Sequence, residues 1–162
     1  MKKYIILMII TIAVTIFNCS PCDAVRNRGE VSGAKLFGLV GEDISPRGKI
    51  AQILNPGSSY TDLQREDLLD QIKGHVVDWS LTVYEIKRNG SADDFIVYTM
   101  GDSDSIGCVI YLEVFNEKQR NYVHSLKTGS IIDIRGIITG ETSFRNLIIK
   151  PAILIGRAGN LK

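Results

Sequence analysis

The sequence predicts a mainly β fold: a small closed barrel of five strands, with a helix between the third and fourth strands and an N-terminal helix packed on it. Three observations predict it. Five strand-like runs fill residues 75–155, and a helix-like run interrupts them after the third. The first run is long and switches its apolar face part-way along. Residues 126–138 then read as a helix end, a turn at Gly129, and a strand interrupted by Gly136. Gly inside a strand weakens pairing unless the strand bends or another backbone comes close, which a barrel corner requires.

The chain opens with a segment outside the fold. Lys2 and Lys3 make a positive start, residues 4–17 are uncharged and apolar, and Cys22-Asp23-Ala24 offers small residues before a cut. That is the form of a secretory signal peptide over residues 1–24, with cleavage after Ala24 and an exported, periplasmic or secreted product. The apolar run is short for a membrane span, which needs about 20 residues. Lipidation at Cys19 or Cys22 is the alternative, although Asn18 and Pro21 precede them where a small residue is wanted. Removing residues 1–24 leaves 138 of 162 and a nearly neutral chain, since whole-chain formal net charge is +1. That length suits one domain. Cys108 is then the last cysteine; it opens an apolar run, so burial is predicted rather than reactivity.

Residues 25–58 are polar, weakly periodic and predicted as an irregular, mobile lead-in. Ile50 to Leu54 fits a short strand or turn before the breaker Asn55-Pro56-Gly57. The domain proper is set at residues 59–158. A helix is predicted from Thr61 as cap to Ile72, with Leu68, Leu69 and Ile72 as its apolar stripe and Leu63 nearby. Arg65, Glu66, Asp67, Asp70 and Lys73 fall on its other faces. In the first strand, residues 75–87, Val77, Trp79, Leu81 and Val83 alternate with Asp78, Ser80 and Thr82, and a bulge follows near Tyr84. A hairpin turn at Arg88-Asn89-Gly90-Ser91 leads to strands at residues 95–100 and 108–114. Asn116 caps the inserted helix, with Gln119 at the reciprocal position. The last strands are residues 130–138 and 147–155, and Pro151 marks the final one as an edge or as ending there.

Three strands, a helix and two strands is the order of the OB-fold, a five-stranded Greek-key barrel. On that order, and on the run Gly74 to Tyr84 with the helix–Gly–strand unit, the chain resembles the OB-fold superfamily. It looks most like small exported bacterial OB-domain proteins grouped as tRNA-anticodon-like. The resemblance implies a binding face on strands two and three, flanked by the loops joining strands one–two and four–five. It does not imply one function.

Reactive groups are sparse. His75 and His124 lie far apart with no metal-ligand spacing around them, and no nucleophile elbow or phosphate-cradling loop is present. Gly101-Asp102-Ser103 looks like a hydrolase block but lacks its later Asp-x-x-His partner. No enzyme activity, metal or cofactor is predicted. The candidate ligand-binding residues are Tyr98, Tyr111, Lys87, Arg88, Phe144 and Arg145. Asp93, Asp94, Asp102, Asp104, Glu113 and Glu141 oppose the few cations, which argues against nucleic acid as partner. The leading reading is therefore an exported, non-catalytic module for a protein or a small polar ligand such as an oligosaccharide. The alternative is a single-stranded nucleic-acid-binding protein.

Overall fold

In β1 (Val76–Arg88), Val77, Trp79, Leu81 and Val83 are buried while Asp78, Ser80 and Thr82 are exposed, so side-chain alternation decides which face turns inward. The computed structural model describes residues 32–90 and 94–156; the segment read as a signal peptide lies outside them. β2 (Asp94–Thr99), β3 (Cys108–Glu113), β4 (Ile131–Glu141) and β5 (Leu147–Leu154) complete a closed barrel in the order β1-β2-β3-β5-β4. β1 pairs with β4 over Val76–Thr82 and with β2 from Val83 to Arg88, with a register shift between Val83 and Glu85. The predicted bulge is that shift. β3 and β5 pair in parallel and close the ring.

Two glycines act as the sequence predicts. Gly129 has φ 88° in the turn before β4, although the helix ahead of it already ends at Ser125 with Leu126 as its cap. A Cβ on Gly136 would lie 2.2 Å from Ile149 Cγ2 and 3.1 Å from Ala152 Cβ, so β4 and β5 approach only where no side chain intervenes. Pro151 corrects an expectation. β5 is no edge strand but is paired on both sides. The β3 register jumps from Ile110↔Ile149 to Leu112↔Ala152, and the β4 register from Gly136↔Ala152 to Ile138↔Ile149. Pro151 sits in the bulge between them, where neither ladder uses the missing N–H.

The lead-in also differs from its prediction. Residues 32–58 carry α1 (Gly33–Leu36) and α2 (Lys49–Leu54), and Ile50, Ala51, Ile53 and Leu54 are buried on one helical face rather than in a strand. Barrel partners hold this segment. The Trp79 indole N–H donates to Ile44 O at 2.6 Å, Glu42 N–H donates to Val76 O at 2.7 Å, and Arg135 grips both carboxylate oxygens of Asp78 and the carbonyl of Leu39.

α3 (Asp62–Ile72) begins with a reciprocal capping box between Thr61 and Gln64, and buries Leu68 and Ile72. Leu63 is 67% exposed and lies off the stripe. Arg65, predicted on a solvated face, is 6% exposed. Its guanidinium donates to Ile53 O, Ser58 Oγ and Asp62 Oδ1, which satisfies a carbonyl of the last turn of α2. α4 (Glu117–Ser125), capped by Asn116, buries Val123 in the core. Gln119 reaches one residue further back than a capping box does and accepts from Phe115 N–H.

Trp79→Ala should lower unfolding free energy by about 3–5 kcal/mol. Gly136→Ala should lower it by about 1–3 kcal/mol through overpacking against Ile149. Urea titration followed by circular dichroism checks both, and an unchanged midpoint in either would contradict the packing described.

Candidate nucleic-acid interface

The outer surface of β2 and β3 gathers part of the predicted site. Phe95, Val97 and Thr99 are buried, so Ile96 and Tyr98 turn outward. On β3, Cys108, Ile110 and Leu112 turn inward, and Tyr111 stands half-buried on the outside as predicted. Tyr98 lies opposite Val109 and Tyr111 opposite Ile96, which makes the two tyrosines diagonal neighbours within reach of one another. Lys87 Nζ sits 4.9 Å from the Tyr98 ring centroid, and Lys150 Nζ sits 5.7 Å from that of Tyr111. Each ring thus has an ammonium beside it. The hydrogen bond from Lys87 to Glu85 at 3.0 Å, and then the charge of Glu85, hold the Lys87 ammonium above its ordinary pKa.

The other predicted residues lie elsewhere. Arg88, at the end of β1 opposite Phe95, lines a groove beside α4. Phe144 and Arg145 precede β5, whose Leu147 lies level with Cys108, at the far end of β3 from Lys87. Phe144 is 80% exposed. Arg145 has φ 62° and turns toward the α2–α3 connection, donating to Pro56 O at 3.4 Å and lying 3.7 Å from Asp62 Oδ1. Six predicted residues therefore resolve into one cluster (Tyr98, Tyr111 and Lys87) and three outliers. Lys150 belongs to the cluster and was not predicted. The parallel β3–β5 pairing brings it beside Tyr111, and no local pattern carries that pairing.

The carboxylates are distributed unevenly. Asp94 lies opposite Glu113 at one end of the face, and Glu113 Oε2 accepts from Gly33 N–H at 2.9 Å. Asp102 accepts from the amides of Asp104 and Ser105 in its own turn, and these bonds, with Asp104 first, lower its pKa. His75 contacts Glu42 at 2.5 Å, whereas His124 meets the Phe95 ring edge-on at 5.5 Å. Among the described residues, no group of three or more His, Cys, Asp or Glu side chains is placed to hold a metal ion.

Five strands closed by a parallel β3–β5 pair, with a helix between β3 and β4, define the fold. This is an OB-fold. Solved structures similar to it include asparaginyl-tRNA synthetase from Pyrococcus horikoshii, at 16% identity and TM-score 0.38, covering 52% of this chain and 20% of that one. Aspartyl-tRNA synthetase from Entamoeba histolytica matches at 14% identity and TM-score 0.37, covering 73% of this chain and 26% of that one. A replication protein A heterotrimer bound to single-stranded DNA matches at 11% identity and TM-score 0.36, covering 71% of this chain and 83% of that one. The OB-fold chain thus spans a fifth and about a quarter of the two synthetase chains. No protein-family model and no curated protein matches it.

Cys108 is 1% exposed in this OB-fold, and burial pushes its thiol up to about 12, against the opposing effect of the Thr99 hydroxyl. The unfolded thiol, at 9.0, ionises first. The burial contribution is therefore fully present below about pH 9 and is lost as pH rises toward about 12. Urea midpoints from pH 8 to 11 should fall more steeply for the native sequence than for Cys108→Ala, and the folded thiol should resist a disulfide reagent at pH 8. Equal slopes, or rapid labelling without unfolding, would contradict the burial.

Proposed function

We propose that this OB-fold is a non-catalytic binding module whose outer β2–β3 face takes a short single strand of nucleic acid. The observation that carries the reading is the pairing of each tyrosine on that face with its own lysine ammonium. Bases stack on aromatic rings regardless of sequence, worth about 1–3 kcal/mol each, and ammonium groups beside the rings neutralise the phosphates between them. The charge balance read from sequence changes at one point: Lys150 joins the face.

A protein or an oligosaccharide is the second reading, favoured by one feature: Asp94 and Glu113 oppose each other at the end of the same face. Two carboxylates repel phosphate but accept hydrogen bonds from sugar hydroxyls or peptide amides.

Fluorescence anisotropy with labelled oligothymidine across a salt series separates the two. Binding should weaken with salt; Lys150→Ala should reduce the slope by roughly 0.7, and Lys87→Ala by less, because its ammonium already pairs with Glu85. Tyr98→Ala and Tyr111→Ala should each cost about 1–3 kcal/mol of affinity without unfolding the barrel. Failure to bind at low salt, or salt-independent binding of an oligosaccharide, would overturn the nucleic-acid reading and promote the second.

We also propose export, supported by Lys2, Lys3, the apolar run and Cys22-Asp23-Ala24. Among the described residues no helix is long and apolar enough to cross a membrane. The intact mass of the protein from its native host should correspond to a chain beginning at Val25. A mass retaining residues 1–24, or a diacylglycerol on Cys19 or Cys22, would sink that assignment.

A further inference from the structure

We infer that the bare edge of β1 beyond its bulge is a docking site for an extended peptide. The peptide adds to the barrel as a strand and carries an acidic residue two positions from an apolar one. β4 leaves β1 at Thr82, while β2 occupies the opposite edge as far as Arg88. On the β4 side the edge is closed only up to Tyr84. Val83 N–H donates to Ser130 O, Gly129 N–H donates to Val83 O, and the Thr128 hydroxyl donates to Tyr84 O, each at 2.8 Å. Beyond Tyr84 no described strand pairs with that edge.

The phase of the ladder decides which groups are presented there. Asn89 N–H donates to Asp94 O at 2.9 Å, so residues 85, 87 and 89 direct their backbone groups toward β2. The N–H and C=O of Ile86 and Arg88 therefore point to the bare edge. That edge is one wall of a groove of about 580 Å³, and the end of α4 with Leu126 and Lys127 forms the other.

The groove selects its occupant by backbone and by charge. Alternating N–H and C=O groups at strand spacing match an extended peptide, whereas a nucleic acid would use the cations and leave the Ile86 amide unbonded. Incoming residues opposite Ile86 and Arg88 face the same side, being two apart. The first meets Ile86 and Leu126, which are half-buried against the core. The second meets Arg88 in the groove that Lys127 also lines, both exposed. Glu85, the only carboxylate among the described lining residues, is bonded to Lys87. An acidic side chain at that position completes the charge.

The test uses the full chain and a fluorescein-labelled pentapeptide, Thr-Glu-Thr-Val-Thr, with amide hydrogen exchange followed by NMR. Saturating peptide should slow exchange at Ile86 and Arg88 by at least about tenfold and leave Glu85 and Lys87, already bonded to β2, unchanged. Ile86→Pro removes an edge donor that β2 does not use and should abolish binding. Lys127→Glu leaves the strand backbone intact and should weaken binding by about tenfold. Unaltered exchange at Ile86 and Arg88 would overturn the proposal. So would equal affinity for a peptide N-methylated at alternate residues, or displacement of the probe by oligothymidine from these amides.

Discussion

β1 must serve two neighbours in turn, and the register shift between Val83 and Glu85 is how it does so. A straight strand of thirteen residues would carry one inward face and keep one partner on each edge throughout. The extra residue at the bulge re-phases the strand, so that Val83 and then Ile86, rather than Glu85, belong to the inward set. The same shift lets β2 take up the strand where β4 releases it, and without that exchange the five strands would not close. Lys87 reaches the Tyr98 ring because the re-phased half of β1 carries Glu85 and Lys87 on its outer side.

Closure raises a second problem, since β4 and β5 must cross closely at the corner. Gly136 solves it by having no Cβ to meet Ile149, and Pro151 by occupying a bulge that neither neighbour needs to bond. These features look like defects in an isolated strand. In the ring they are the positions at which regular pairing would prevent closure.

The strands were legible because alternation is local: Val77, Trp79, Leu81 and Val83 declare an inward face within seven residues. Capping was legible for the same reason, as at Thr61 and Asn116. The lead-in was not legible, because what holds it is distant in sequence: Trp79 to Ile44 across 35 positions, and Arg135 to Leu39 across 96. Arg65 was misplaced because its long side chain satisfies a backbone carbonyl of a neighbouring helix, which a charge pattern does not reveal. The candidate site was half legible. Tyr111 followed from alternation, Lys87 from the hairpin, but Lys150 required knowing that β5 runs parallel to β3.

Alternate residues at the end of β1 now belong to different surfaces. Lys87 turns its side chain to the tyrosine face, while Ile86 and Arg88 direct their backbone groups to the α4 groove. The division follows from strand geometry alone, because successive residues point their side chains to opposite faces and their amides to opposite edges. A one-residue slip in this half of the strand would move Lys87 off Tyr98 and bury its ammonium against the core, while turning the Ile86 side chain to solvent. The bulge that permits closure therefore also keeps the two surfaces distinct. Any change at Tyr84 that removes it must act on the barrel, the tyrosine face and the bare edge together.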